Sequence, residues 1–149
     1  MGKFEEATKK FIDAFNRKDP NAVANLYANE SVSYDPMYPE PLRGRSAVKE
    51  DAATYFRAFP DVRMEARTIV EKGDDGAAEF RMTGTNTGPL KTPTGEELPA
   101  TRKRIDLTGA VFIRLNADGL IVEERRYYDT TSFARQLGLV PEPAAAAAR

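Results

Sequence analysis

The sequence predicts an α+β fold in which helices pack on one face of a long-stranded antiparallel sheet. Three observations carry that prediction. Apolar residues recur at helical spacing up to Pro60; from Val62 onward they alternate as in strands; and Gly73-Asp74-Asp75-Gly76 and Asn116-Ala117-Asp118-Gly119 read as tight turns between long strands. Helices segregated to one face of such a sheet form an α+β layer, and a sheet that curls strongly around them becomes a cone with an interior cavity. With 149 residues the chain is long enough for one domain with a substantial core.

The elements follow in order. Phe4, Ala7, Phe11, Ala14 and Phe15 form one apolar stripe, which predicts a helix from Lys3 to Arg17. Asp19-Pro20 restarts the chain: Asp19 is a good N-cap and Pro20 suits the first turn of a short second helix that turns Val23, Leu26 and Tyr27 inward. A short strand, Ser31 to Tyr34, runs into a proline-broken loop from Asp35 to Pro41. A third helix starts near Ser46, carries Val48, Ala52, Tyr55, Phe56 and Phe59, and ends before Pro60. Strands are predicted from Val62 to Val70, Ala77 to Thr85, Thr101 to Leu115 and Leu120 to Tyr128, with a Gly/Pro/Thr-rich loop over Gly88 to Pro99. A short helix from Thr131 to Leu137 closes the domain, taken as 1–141; the low-complexity, alanine-rich tail 142–149 is set apart from the fold.

Composition narrows the chemistry. A balance of 41% hydrophobic and 30% charged residues is that of a globular rather than a disordered chain. The formal net charge of −1 gives no electrostatic reason to expect nucleic acid or an anionic membrane as partner. No apolar run reaches the roughly 18 residues of a membrane-spanning helix, and the first twenty residues lack the apolar block of a secretion signal, so a cytoplasmic location is expected. There is no cysteine and no histidine. Proton transfer near neutral pH therefore falls to carboxylates, tyrosines or lysines. The sequence holds no phosphate loop, dinucleotide fingerprint or zinc motif, and no cofactor is implied.

Several stretches together resemble the SnoaL-like polyketide cyclases: AVANLYANE at 22–30, Tyr34-Asp35-Pro36, PLRGRSAV at 41–48, Phe59-Pro60-Asp61, GTNTGP at 84–89, Pro93-Thr94-Gly95, DGLIVEE at 118–124, Tyr127-Tyr128-Asp129 and QLGL at 136–139. The resemblance spans nearly the whole chain before the alanine tail. It implies the nuclear-transport-factor-2-like, cystatin-like α+β barrel, a cone-shaped curved sheet wrapped around the N-terminal helices, and a homodimer formed through that sheet. It also implies a small, apolar, carbonyl-containing ligand. By motif position Asp129 corresponds to the cyclases' acid/base. The acid-Pro pair Asp35-Pro36 stands where the related ketosteroid isomerases carry their general base, and Arg81 falls near the arginine of the related limonene-epoxide hydrolases. The chain also departs from its relatives. Asn86 stands where many members carry histidine, Phe11 where the isomerases carry their oxyanion tyrosine, an apolar residue near Val111 where they carry a second acid, and Thr83 where the hydrolases carry an aspartate.

The residues themselves leave alternatives. Strand alternation puts Asp129 on the face of Glu123, Arg125 and Tyr127, while its plain reading is a helix cap. Asp35 is either a pocket acid or an ordinary turn residue. Arg81 and Asn86 would position carbonyl oxygens if they face the cavity; otherwise Arg81 bridges the sheet and Asn86 ties down a turn. Tyr34, Tyr38, Tyr55 and Tyr127 are expected as cavity wall residues with a polar tip. Arg102-Lys103-Arg104 and Arg125-Arg126 read as a solvated or dimer-facing sheet surface. The expected function is cofactor-free proton abstraction next to a carbonyl with aldol-type ring closure or isomerisation. Its rivals are epoxide hydrolysis and a non-catalytic ligand-binding or dimerisation module.

Overall fold

The computed structural model describes residues 2–92 and 94–141. The tail set apart at 142–149 lies outside them.

The first helix, α1 (Lys3–Asn16), buries its apolar stripe as the spacing predicts, with Phe4, Ala14 and Phe15 in the core. Its N-terminus is met by a carboxylate from elsewhere in the chain: Glu71 Oε2 accepts the Glu5 N–H at 3.0 Å, where free amides and the helix dipole favour negative charge. Asp19 caps α2 (Pro20–Ala24), its side chain accepting the Ala22 N–H at 3.0 Å. The strand expected from Ser31 begins earlier, as β1 (Tyr27–Tyr34), because Tyr27 and Ala28 already face the core. The two-residue β2 (Leu42–Arg43) leads into α3 (Gly44–Ala58). Four long strands follow: β3 (Arg63–Lys72), β4 (Asp75–Thr85), β7 (Arg104–Leu115) and β8 (Ile121–Tyr128). The loop between β4 and β7 contains a small hairpin of its own, β5 (Leu90–Lys91) and β6 (Glu97–Leu98), and α4 (Thr130–Gln136) follows the last strand.

The main sheet has the order β2-β1-β8-β7-β4-β3. Strands β3, β4, β7 and β8 form the antiparallel meander that the turn signals predict, whereas β1 lies parallel to β8. The sheet is therefore mixed rather than wholly antiparallel. Parallel neighbours need a long crossover, and here the whole α3-to-β7 segment supplies it. Pairing slips register between Tyr27 and Val32, Ala66 and Thr68, and Arg114 and Leu115, and such irregularities bend strands and increase their twist. The curl closes the sheet over α1, which lies against β3 and β4, and over α3, which lies against β1. Between them Phe15 meets Phe56 edge-on, with ring centroids 5.0 Å apart.

One glycine shapes the interior. On the inner face, Phe80 of β4 and Tyr128 of β8 flank Gly109 of β7 in register. A methyl group there would stand 2.6 Å from the Phe80 ring and 2.6 Å from the Tyr127 carbonyl oxygen. Only a residue without a side chain lets the Phe80 ring lie across β7 and leaves space beneath it.

Candidate active site

That space is a cavity of about 120 Å³ enclosed by α1, α3 and the inner face of the sheet. Most of its wall is apolar and includes Phe11, Phe15, Met64, Phe80, Val111 and Ile113. The polar groups gather at one end, where Asp35, Asp51, Tyr55, Glu124, Arg126 and Tyr128 reach the surface of the cavity.

Three elements bring them together. On β8, Glu124, Arg126 and Tyr128 pair with Ile113, Val111 and Gly109 of β7 and so face inward. Asp35 follows the last residue of β1 and turns back on its own loop, its Oδ1 accepting the Met37 N–H at 2.9 Å. Asp51 sits on α3, one turn after Val48 and one turn before Tyr55.

Arg126 is the hub. Its Nη1 donates to Asp35 Oδ2 at 3.0 Å and to Asp51 Oδ2 at 2.9 Å, and its Nε donates to Glu124 Oε1 at 3.0 Å. Three phenols complete the network. Tyr27 donates to both Glu124 oxygens at 2.9 Å, Tyr128 to Asp35 Oδ1 at 2.6 Å, and Tyr38 to Asp51 Oδ1 at 2.5 Å. The side chains of Asp35, Asp51, Glu124 and Arg126 are 7%, 13%, 4% and 16% exposed, so these charges are held nearly out of water. A cluster of this kind is tolerated only where every charge has a partner and further hydrogen bonds.

Burial works against the Arg126 charge, but Glu124, Asp51 and Asp35 outweigh it and hold its pKa well above the ordinary arginine value. Burial, and then the Asp35 charge, pushes Tyr128 far up; burial, and then Asp51, does the same to Tyr38 and Tyr55; burial, and then Glu124, does so to Tyr27. All four phenols are therefore neutral hydrogen-bond donors throughout the physiological range. Tyr55 differs from the others. Its ring stacks on Phe59 at 5.4 Å, and its hydroxyl, at the cavity wall, donates to no other side chain among the described residues.

The structure thus gathers Asp35 and Tyr55, and it places Tyr38 beside Asp51 in an adjoining smaller cavity. The other expected positions lie elsewhere. Asp129 is exposed, lines neither cavity and caps α4, accepting the Ser132 N–H at 3.0 Å. The odd-numbered face of β8, to which alternation had assigned it, is the outer one. Arg81 is also outside, paired with Asp106 across β4 and β7 at 2.9 and 2.7 Å. Asn86 is fully buried as a staple: its amide donates to the Ala58 and Gly88 carbonyls at 3.0 Å, and its oxygen accepts from Thr101 N and Oγ1 at 2.7 and 2.9 Å. Those bonds consume the side chain's capacity and leave nothing for a ligand. Tyr34 and Tyr127 stand on the outer face, where Tyr127 meets Phe112 edge-on at 5.9 Å and Arg125 lies over the Phe112 ring at 5.6 Å. Arg126, read as part of a basic surface, is instead a cation held at 16% exposure on the inner face of the sheet.

Asp51, Glu124, Arg126 and Tyr128 were not singled out from the sequence. Asp51 carried a usable signal, since a lone carboxylate at helical spacing from Val48 and Tyr55 interrupts an otherwise apolar stripe. Among the described residues no group of Asp and Glu is placed to hold a metal ion, and no helix is long and apolar enough to cross a membrane.

Fold and site together define a small cone-shaped pocket protein with an acidic, arginine-centred wall. The chain belongs to the SnoaL-like domain family, whose model matches residues 8–124. Three solved structures are similar to it. IdmH, a candidate polyketide cyclase from Streptomyces antibioticus, is 25% identical, with 90% of this chain and 97% of that one covered at a TM-score of 0.71. A protein with a ketosteroid isomerase-like fold from Catenulispora acidiphila is 19% identical, with 93% and 98% covered at 0.75. SalBIII, an epoxide hydrolase/cyclase-like enzyme with a role in pyran ring formation in the polyether salinomycin, is 19% identical, with 86% and 92% covered at 0.70. No curated protein sequence matches the chain.

The buried phenols give the site a signature in alkali. Of the six tyrosines, Tyr27, Tyr38, Tyr55 and Tyr128 have raised pKa values in the folded protein. Phenols ionise at about pH 10 when the chain unfolds, so the stability these four contribute is complete below that pH and drains away as pH rises toward their folded values. Phenolate absorbance about one unit above pH 10 should account for at most two tyrosines, with the rest appearing only as the fold is lost. Smooth ionisation of all six in the folded state would show that the network is open to water.

Proposed function

We propose that the protein is a cofactor-free acid/base enzyme acting on a small, largely apolar carbonyl compound. It removes a proton next to the carbonyl and so promotes ring closure or isomerisation. The observation behind this reading is that two carboxylates from separate elements converge on one buried guanidinium nitrogen, at 3.0 and 2.9 Å, on the wall of an apolar cavity.

The roles follow from the hydrogen bonds each group already makes. Asp35 accepts from Tyr128, Met37 N and Arg126 and serves mainly to hold the arginine and the phenol in place. Among the described residues Asp51 accepts only from Tyr38 and Arg126 and keeps more free acceptor capacity, so it takes the substrate proton. The electron pair released from the C–H bond moves onto the carbonyl oxygen, and the neutral Tyr55 hydroxyl donates to the developing enolate. The enolate carbon then attacks a second carbonyl to close a ring, the new alkoxide taking the proton held by Asp51, or Asp51 returns that proton at another carbon. Deuterium uptake next to the carbonyl of 1-tetralone, followed by NMR in heavy water, tests this step. Asp51→Asn should slow uptake by about 10²–10⁴-fold, and Asp35→Asn should also slow it. Asp129→Asn should leave uptake intact, because asparagine caps a helix as well as aspartate does. Full activity of Asp51→Asn would end the proposal.

The arginine-bridged pair of aspartates also favours a second reading, epoxide opening. One carboxylate would take a proton from water as the water oxygen attacks the epoxide carbon and the ring C–O bond breaks. The alkoxide released, hydrogen-bonded by Tyr55, would then take that proton back to complete the diol. Turnover of limonene oxide in oxygen-18 water should then place one labelled oxygen in a diol. Failure to turn over limonene oxide, with deuterium uptake by 1-tetralone intact, favours the carbanion reaction.

The same proposal seats a second copy of the chain on the outer face of the sheet, where Phe112 and Tyr127 are 43% and 53% exposed. Phe112→Asp should shift the sedimentation coefficient from dimer to monomer. An unchanged value would place self-association elsewhere or exclude it.

A further inference from the structure

A second cavity of about 50 Å³ lies against the first. Asp35, Asp51, Tyr55 and Tyr128 line both, so the acid pair and its phenols form the wall where the two chambers meet. The chambers differ in chemistry. Beyond those shared groups and the Glu124–Arg126 pair, the large one is apolar except for Thr8; the small one carries Thr54 and Lys91.

Two elements build the small chamber. Asp51, Thr54, Tyr55 and Ala58 recur at three-and-four spacing on α3, so a single helix face runs from the acid pair into it. The β5–β6 hairpin, which is not part of the main sheet, covers it with Leu90 and Lys91. The hairpin is fastened to α3 by the Arg57–Glu97 ion pair at 3.0 Å. The Lys91 Nζ stands 3.7 Å from Glu50, an ion pair too long to be a hydrogen bond. Among the described residues the Lys91 ammonium makes no hydrogen bond, so its donors can meet another oxygen.

We infer that the substrate is bipartite: its apolar ring occupies the large cavity, and an arm bearing an acceptor oxygen passes the acid pair into the small one, where Lys91 and Thr54 receive it. The inference deepens the acid/base reading and rests on it, because the reacting carbon then lies between the chambers, within reach of Asp51. It makes Lys91 and Thr54 the residues that select the arm. Lys91 supplies a charge-assisted hydrogen bond to a carbonyl or carboxylate oxygen, and Thr54 limits the arm's width.

Calorimetry with three probes sharing one ring tests this. 2-Acetonaphthone has no arm, 4-(2-naphthyl)-4-oxobutanoate carries a carboxylate arm, and the corresponding primary amide carries a neutral one. Both armed probes should bind wild-type protein about 10-fold or more tighter than 2-acetonaphthone, the gain from one charge-assisted hydrogen bond. Lys91→Met should remove most of the carboxylate's advantage and less of the amide's. Thr54→Leu, which fills the chamber, should remove both advantages and leave 2-acetonaphthone within about 2-fold of wild type. Equal loss of the two advantages in Lys91→Met would mean that a carbonyl oxygen satisfies the site as well as a carboxylate, still in the same chamber. The inference falls if the arm gives no advantage, including the case in which no probe binds. It also falls if Lys91→Met and Thr54→Leu weaken all three probes alike, as expected of a mere entrance. Binding is read without turnover, so failure here is separate from failure of the acid/base reading, which shows as deuterium uptake indifferent to Asp51→Asn.

Discussion

The burial of one guanidinium among three carboxylates is the constraint on which the rest of the site depends. Arg126 ties the end of β1, the middle of α3 and the last strand to a single point. Leaving those carboxylates without their cation would cost roughly 3–5 kcal/mol, a large share of the stability of a domain this size. The same cluster contributes little net stability when intact, because each ion had to leave water. Apolar side chains of similar volume would hold these elements together as well or better. Its position at the wall of an otherwise apolar cavity is therefore better explained by what it does to a bound molecule than by what it does for the fold.

Most of the architecture was legible in the sequence because it rests on periodicity and turns. The stripe of Phe4, Phe11 and Phe15, the Asp19-Pro20 restart and the two glycine turns each have one local solution, and the structure adopts it. The parallel seating of β1 beside β8 was not legible. It pairs strands about ninety residues apart in sequence and includes a register slip between Tyr27 and Val32, neither of which local periodicity reveals.

The site was harder to read, and the reason is specific. The last strand runs Glu123-Glu124-Arg125-Arg126-Tyr127-Tyr128, a series of doublets. A strand reveals its inner face by alternation of residue type, and doublets present the same types to both faces. Counting back from Asp129 selected the odd-numbered residues; pairing with Gly109, Val111 and Ile113 selects the even ones. Family position misled at Arg81 for a related reason. It located the strand correctly, but Asp106, diagonally across on the outer face of β7, claims the side chain. Asp35 was found because the acid-Pro pair Asp35-Pro36 stands, by the resemblance, where the ketosteroid isomerases carry their general base.

The division of labour among the three acids follows from counting partners. Glu124 receives the Tyr27 hydroxyl on both oxygens and the Arg126 Nε, so it is spent on holding the arginine. Asp35 is spent on Tyr128, its own loop and the arginine. Among the described residues Asp51 has the fewest bonds of the three, and one helical turn away Tyr55 presents a phenol that no other side chain engages. A carboxylate with acceptor capacity to spare and a phenol that, among the described residues, donates to no side chain therefore sit side by side on α3, facing both chambers. A substrate lying along that helix face would meet the proton acceptor and the oxyanion donor at once. In the proposed reaction the remaining charges would keep α3 in place while Asp51 and Tyr55 exchanged partners.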